Sequence, residues 1–196
     1  MFPISVFFVT LCGYFAELVR YRTRQQLNAI AEELRNFAFT DPLTRVFNRR
    51  ALPSHIGGME EDAYGLSFII MDLDFFKAVN DLHGHEIGNR MLCHVVEQVK
   101  AVVPGNALLY RWGGEEFLLV LKSSDREAIQ AMAEAIRRQV EAAPLTGGVG
   151  SIAITVSLGI LCAPAGMTVQ EGIRQADMHL YAAKSSGRNR VAADTH

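Results

Sequence analysis

Hydrophobic positions recur along this chain with two periods, about 3.6 residues in some stretches and two in others. The first period predicts helices over 20–38, 43–56, 78–103, 125–142 and 168–186. Short apolar runs predict strands over 64–73, 107–112, 115–121, 151–161 and 189–192. Because strands and helices alternate around one antiparallel hairpin, the pattern predicts an α/β (α+β) fold with a central mixed sheet flanked by helices.

The first nineteen residues are mostly apolar and carry one charge, Glu17. Arg20, Arg22 and Arg24 follow at once, as in the cytoplasmic flank of a membrane helix. The uncharged run before Glu17 is shorter than the roughly 20 residues that a bilayer requires. This pattern favours a membrane helix, and the alternative is an apolar helix buried in a dimer.

The segment 20–38 continues as a helix whose apolar residues fall three, four and three positions apart. These residues are Leu27, Ile30, Leu34 and Phe37. Such spacing predicts a short coiled-coil seam, and the alternative is an amphipathic helix packed on its own domain. Asp41-Pro42 ends the helical pattern. We therefore predict a signalling helix over 1–38 and a globular domain over 39–196.

Composition narrows the classes of function. With 196 residues, the chain is long enough for one domain with a full core and a short appendage. A net charge of −2 and a pI near 6.3 argue against a nucleic-acid-binding protein that relies on overall basicity. The three cysteines are far apart and form no CxxC pair, which indicates a reducing compartment rather than a disulfide framework or a zinc site.

Three short clusters contain residues suited to phosphate chemistry. Asp72 and Asp74 end an apolar strand two positions apart, so both point to one face and form a hard-oxygen site suited to magnesium. Lys77 follows in a turn that leads into a helix, where free N–H groups bind phosphate. For an isolated pair of aspartates, the simpler interpretation is helix capping or solvent exposure.

The other two clusters lie later in the chain. Gly113-Gly114 permits the positive φ angles of a tight hairpin, with Glu115 and Glu116 at its tip. Lys184 and Arg188 lie four residues apart, late in a predicted helix. They suit a nucleotide's phosphates or the carbonyl groups at the helix end.

Taken in order, the clusters resemble a known family. The matching stretches are FTDPLTRVFNRRAL, DLDFFKAVNDLHGHEIGN, RWGGEEF and YAAKSSGRNR. Residues 38–192 closely resemble the GGDEF domain of diguanylate cyclases. The resemblance implies a palm-like sheet and a bacterial enzyme, a nucleotidyltransferase that condenses two GTP into cyclic di-GMP. It also implies a homodimer, because each domain holds one GTP. The N-terminal helix would keep this domain at the cytoplasmic face of the inner membrane.

The resemblance also assigns roles to individual residues. Asp72, Glu115 and the carbonyl of Leu73 would ligate Mg²⁺ or Mn²⁺. Glu116 would serve a second metal or polarise the attacking hydroxyl. The phosphates would be held by Phe75, Phe76, Lys77, Lys184 and Arg188. Asn80 would read the guanine edge, with His85 near the base.

The sequence departs from the family pattern at two places. Asn89 stands where the family has an aspartate that accepts hydrogen bonds from guanine, and an amide offers one acceptor and one donor instead. Pro104 and Ala107 replace the arginine and aspartate of the RxxD product-inhibition site, so this site is expected to be absent. Two alternatives stay open: a silent module that binds GTP, and a cyclase with relaxed base choice that makes mixed dinucleotides.

Overall fold

The structure is a computed structural model that describes residues 4–58, 61–147 and 150–194. Within the first helix, side chains are described at positions 13–28, 30, 38 and 39. The chain divides into two compact units, Met1–Phe39 and Thr40–His196. The described part of the first unit is a single helix, α1 (Ile4–Phe39).

Helix α1 contains the predicted helix over 20–38. Leu27 and Ile30 are 59% and 53% exposed, so this part of the predicted seam is open to solvent or to a partner. The side chains of Leu34 and Phe37 lie outside the described residues. Within the described part of the chain, no helix combines the length and the apolar character needed to cross a membrane. The membrane helix at the N-terminus stays a prediction from the sequence.

A mixed sheet forms the centre of the second unit, as predicted. Its strands are β1 (Phe47–Asn48), β2 (Leu66–Leu73), β3 (Leu108–Arg111), β4 (Glu116–Lys122), β7 (Val156–Cys162) and β8 (Val191–Ala192). Their order is β1-β3-β4-β2-β7-β8. The central strand β2 is antiparallel to both β4 and β7, whereas the two outer pairs are parallel. Strands β5 (Leu145–Gly147) and β6 (Gly150–Ile152) form a separate small hairpin. The single strand predicted over 151–161 was wrong in extent, because it is divided between β6 and β7.

Helices cover both faces of this sheet. They are α2 (Leu52–Ile56), α3 (Phe76–His83), α4 (His85–Val102), α5 (Arg126–Ala142) and α6 (Val169–Ser185). Ile69, Met71 and Leu73 of β2 pack in one core with α4 and α5. Phe68 points to the opposite face, where it meets Gly172 of α6. The sheet is thus buried on both sides, and functional groups are left to its ends.

Two predicted helices were wrong in extent. The helix predicted over 78–103 is two helices, because Gly84 adopts φ 83° between α3 and α4. The helix predicted over 43–56 is replaced by β1, a 3-10 turn over Arg49–Ala51 and the short helix α2. Asp41 causes this second difference, because its side chain accepts hydrogen bonds from both the backbone and the hydroxyl of Thr44 and so favours a turn.

Candidate active site

The carboxyl end of β2 presents Asp72 beside a cation. The Asp72 carboxylate forms an ion pair with the Nζ of Lys184 at 2.8 Å, and its side chain is 8% exposed. Burial raises the pKa of Asp72 above its ordinary value, although the Lys184 ammonium partly offsets that effect. A buried carboxylate of this kind is stabilised in its charged form by any further cation that reaches it.

The hairpin that joins β3 to β4 brings a second carboxylate to the same place. Asp72 pairs with Glu116 across the two strands, and the N–H of Leu73 donates to the carbonyl of Glu115 at 3.3 Å. Burial raises the pKa of Glu115, and the nearby charge of Asp72 raises it further. The structure therefore brings Glu115 close to Asp72, the two carboxylates to which the family resemblance assigns the metal.

The hairpin turn differs from the tight turn that we predicted. The strands end at Arg111 and resume at Glu116, so four residues form the connection. Neither Gly113 nor Gly114 adopts a positive φ. A side chain at position 113 would instead place its Cβ 2.6 Å from a carboxylate oxygen of Glu116. The Glu116 side chain folds back over Gly113, so a side chain at position 113 would require Glu116 to move.

The carboxylate of Asp74 is not available to a ligand. Its carboxylate accepts hydrogen bonds from the hydroxyls of Thr155 and Ser157, both at 2.7 Å, and from the N–H of Asn189 at 3.0 Å. At 3% exposure, its acceptor capacity is used within the protein. The hypothesis that Asp72 and Asp74 form a paired metal site was wrong, and Asp74 instead ties β2 to β7 and to the turn after α6.

The start of α3 offers backbone N–H groups to the same edge of the sheet. Phe75 adopts the left-handed conformation at φ 58° and gives the helix no side-chain cap. The first N–H groups of such a helix lack partners within it. Phe76 is 5% exposed and anchors this turn in the core, while Lys77 is exposed beside it. This arrangement is suited to phosphate, as predicted.

The end of α6 adds a second cation. The guanidinium of Arg188 lies 4.6 Å from the centre of the Phe75 ring, in a cation–π contact. Arg188 also lowers the pKa of Asp72 through its charge, although less than Lys184 does. The two predicted basic residues, Lys184 and Arg188, thus lie at the same strand end as the acidic pair.

The residues predicted to read the base lie beyond these charges. The side-chain oxygen of Asn80 lies against Gly88, so closely that any side chain at position 88 would collide with it. Asn89 is exposed and lines a cleft of about 330 Å³ that also contains Leu43 and Arg90. His85 is exposed at the first position of α4. The structure brings Asn80 next to α4 but does not place it in the cleft of Asn89.

Our sequence reasoning missed Arg111, which braces the hairpin. Its Nη1 bonds both carboxylate oxygens of Asp41, at 3.1 and 3.2 Å. Its Nε and Nη2 donate to the carbonyl of Gly114, at 3.2 and 2.7 Å. Burial alone would raise the pKa of Asp41, but hydrogen bonds from Thr44 and the charge of Arg111 hold it below its ordinary value. An arginine two positions before the Gly-Gly pair is the signal that could have indicated this role.

Within the described residues, no three His, Cys, Asp or Glu side chains converge closely enough to form a metal site. The donor chemistry nevertheless fits a divalent cation. Asp72 already binds a cation in Lys184, and Glu115 has its pKa raised by the charge of Asp72. A carboxylate whose ionisation is opposed by burial and by a neighbouring carboxylate is stabilised in its charged form by Mg²⁺ or Mn²⁺.

Comparison with known proteins decides the family. Residues 38–190 match the family model described as diguanylate cyclase, GGDEF domain. The chain belongs to the GGDEF-domain diguanylate cyclase family. It is 34% identical over 169 residues to the diguanylate cyclase DgcM of Escherichia coli, covering 84% of this chain and 40% of DgcM. It is 31% identical over 175 residues to the diguanylate cyclase VdcA of Vibrio cholerae, covering 87% of this chain and 50% of VdcA.

Solved structures of this GGDEF family agree with the fold. The coiled coil and GGDEF domain of DgcB from Caulobacter crescentus, solved with c-di-GMP, superposes with a TM-score of 0.77 at 29% identity. The match covers 95% of this chain and 98% of that one. The predicted α+β fold, with its mixed sheet, flanking helices and preceding N-terminal helix, is confirmed. The chain spans half or less of the length of the curated relatives DgcM and VdcA.

Proposed function

We propose that this chain is a diguanylate cyclase that condenses two GTP into cyclic di-GMP and releases two pyrophosphates. The observation that supports it most directly is the convergence at the end of β2 of two carboxylates and two cations. These are Asp72, Glu115, Lys184 and Arg188. A triphosphate with its metal needs this combination of acceptors and positive charges at one place.

The cations and the start of α3 would bind the triphosphate. Lys184 and Arg188 donate to phosphate oxygens, together with Lys77 and the N–H groups at Phe75 and Phe76. In the structure Lys184 is paired with Asp72, so nucleotide binding would transfer its hydrogen bonds from carboxylate to phosphate. Mg²⁺ or Mn²⁺ held by the carboxylates of Asp72 and Glu115 and by the carbonyl of Leu73 would neutralise charge on the phosphates.

The reaction forms one phosphodiester bond for each GTP consumed. The 3′-oxygen of one GTP attacks the α-phosphorus of the other, and the bond from that phosphorus to the bridging β-phosphate oxygen breaks. Pyrophosphate leaves with the bonding electrons. The carboxylate of Glu116, half-buried beside Glu115, would accept the proton of the attacking hydroxyl. Repeating the step with the roles exchanged closes the ring.

Two domains must meet for this chemistry, because each would hold one GTP. The exposed Leu27 and Ile30 of α1 are suited to pairing with a second copy. Removing residues 1–38 should then make the rate per domain rise with protein concentration, whereas the full chain should show much less dependence. A truncated domain that is equally active at all dilutions would place the dimer contacts within the domain itself. Membrane attachment stays a prediction from sequence, for which vesicle flotation is the measurement.

Product inhibition through the family's RxxD site is expected to be absent. Pro104 and Ala107 line a cleft of about 400 Å³ together with Arg45 and Lys100. Neither the proline nor the alanine has a side chain that can make a charge-assisted hydrogen bond. Calorimetry with cyclic di-GMP should show no tight binding that depends on residues 104–107. Tight binding that disappears when these residues are changed would contradict this expectation.

The selection of guanine over adenine bears on a second candidate function. Asn89 replaces the family's aspartate and lies exposed at its cleft, so the contact with guanine would lose one acceptor. An amide can also donate to the N1 acceptor of adenine. The alternatives are therefore a cyclase that also makes mixed guanine–adenine dinucleotides, or a module that binds GTP without turnover.

One experiment separates these possibilities. The chain is incubated with magnesium and GTP, with ATP, or with both, and the products are resolved by chromatography. Cyclic di-GMP and pyrophosphate from GTP alone would support the proposed activity, and a mixed product would support relaxed base choice. A folded, dimeric sample that yields neither would support the silent module.

A further inference from the structure

The turn after α6 adopts a conformation that L-amino acids rarely take. Arg188 and Asn189 have φ values of 62° and 46° in succession. Left-handed residues other than glycine persist where the surrounding contacts hold them there. Because Arg188 is the cation that lies over Phe75, whatever holds this turn also decides where that cation lies.

Backbone hydrogen bonds tie this turn to the end of α6 and to β7, and its contacts with Asp74 and with α5 are made by Asn189. Its backbone N–H donates to Asp74 at 3.0 Å. Its side-chain amide donates to an oxygen of Glu141 at 2.8 Å and accepts from the Nη1 of Arg137 at 3.0 Å. Both of these partners belong to α5, a helix that contributes no other residue to the site described above. An amide with both its donor and its acceptor bound to charged groups is fixed in one orientation.

Arg137 connects these groups to α5. Its Nη1 donates to Glu141 at 2.8 Å, its Nε donates to Glu134 at 3.0 Å, and its side chain is 15% exposed. The planar guanidinium makes these bonds at fixed angles, which a lysine ammonium cannot reproduce. The next residue, Arg138, is 75% exposed and lies 4.0 Å from Glu134. Arg138 is therefore a matched control on the same helix.

We infer that Arg137 is a positioning residue for nucleotide binding, which acts through Asn189 to hold Arg188 at the phosphate site. The inference rests on the proposed function, because it takes the ligand of Arg188 to be the triphosphate of GTP. Arg137 contacts Asn189 and two glutamates of its own helix. Its effect should therefore appear in nucleotide affinity rather than in the chemical step.

The test compares Arg137→Lys with Arg138→Lys in the full chain. We expect the KM for GTP to rise about five- to ten-fold in Arg137→Lys, with kcat changed by less than about two-fold. The affinity for inorganic pyrophosphate, measured by calorimetry, should fall by a similar factor. Arg138→Lys should match the wild type in both measurements. An unchanged KM and pyrophosphate affinity in a folded Arg137→Lys protein would overturn the inference.

Two further variants separate positioning from general damage to the fold. Asn189→Gly keeps a residue that accepts positive φ but removes the amide contacts, so it should reproduce the effect of Arg137→Lys on KM and on pyrophosphate affinity. In an Arg188→Ala background, Arg137→Lys should add no further loss of pyrophosphate affinity. Independent, multiplicative losses in that background would show that Arg137 does not act through Arg188. A wild type that binds pyrophosphate but makes no cyclic product would contradict the proposed function and leave this binding test intact.

Discussion

Two segments reach the end of β2 and differ in the charge that they bring. The hairpin tip over 112–116 carries the acidic groups, and the turn over 186–190 follows Lys184 and carries Arg188. Each segment is fastened to a distant part of the domain by an arginine. Arg111 binds Asp41 on the hairpin side, and Arg137 binds Asn189 on the other side. The site is thus built by two arms of opposite charge, each with its own brace.

The difference between bracing groups and ligand-binding groups is visible in their carboxylates. Asp74, which braces the second arm, has three protein donors within 3.0 Å. Asp72, only two residues earlier, has the Lys184 ammonium and a raised pKa. Asp41, which pairs with Arg111 to brace the hairpin, differs from Asp72 in that its pKa is lowered. Charges that serve the fold are satisfied by the protein, whereas those that would serve a ligand leave part of their interaction energy unused.

The largest expected effect comes from breaking the acidic arm. Glu115→Ala should lower the rate of cyclic di-GMP formation by about 100-fold or more, because a lost metal ligand commonly costs orders of magnitude in rate. The melting temperature should change little, since Glu115 lies at a hairpin tip outside the core. Chromatography of the product and thermal unfolding are the measurements. Glu127→Ala, an exposed site in the first turn of α5, serves as the control.

Weakening the brace of that arm should have a smaller effect. Arg111→Lys cannot bind Asp41 and the carbonyl of Gly114 together, so the hairpin tip should be held less rigidly. We expect about a ten-fold loss of kcat/KM, and a loss of about 1–2 kcal/mol in the free energy of unfolding by urea. Exposed Arg50→Lys is the matched control. Equal activity in both variants would show that the contacts of Arg111 do not affect the catalytic role of Glu115.

Asn89 lies away from both arms, so its replacement should leave them intact. Asn89→Asp should raise kcat/KM for GTP by about five-fold and lower any use of ATP, because a carboxylate restores two acceptors for guanine. The gain is modest because position 89 is exposed to water. Competition between the two nucleotides is the measurement. If neither the GTP kinetics nor the preference changes, residue 89 does not read the base.

The smallest effect concerns stability and pH in metal-free buffer. A carboxyl whose pKa is raised on folding binds protons more readily in the folded chain, so its ionisation costs stability at neutral pH. Glu115→Gln should therefore melt about 2 °C higher than the wild type near pH 8. The difference should shrink as pH falls through the raised pKa of Glu115. A constant difference across this range would mean that Glu115 ionises as it does in the unfolded chain.

The opposite sign is expected for Asp41. Because its pKa is lowered in the folded state, the stability that it contributes is present above its unfolded pKa and is lost as pH falls through the folded value. Asp41→Asn should therefore be less stable than the wild type at pH 7, with the difference disappearing only in strong acid. Thermal unfolding from pH 8 to pH 3 compares the two carboxylates directly. A deficit that had already disappeared at pH 5 would contradict the lowered pKa of Asp41.

The sequence by itself determined the mixed sheet and most of its helices, because their apolar periods persist over whole elements. The strands predicted over 64–73, 107–112 and 115–121 closely match β2, β3 and β4. It also indicated the charged clusters, whose members are neighbours in the chain. The local pattern could not predict that residues 43–56 form a turn, a strand and short helices. That outcome depends on the hydrogen bond from Thr44 to Asp41 and on the pairing of Phe47 with Tyr110.

Only the tertiary structure decided which charged residues serve the fold and which are left for a ligand. Asp72 and Asp74 are equivalent by sequence spacing, and they differ because Thr155, Ser157 and Asn189 converge on one of them from far along the chain. The braces through Arg111 and Arg137 are decided in the same way, since each joins residues 52 to 70 positions apart. A hydrogen bond between distant residues depends on how the elements pack, and no local period in the sequence records it.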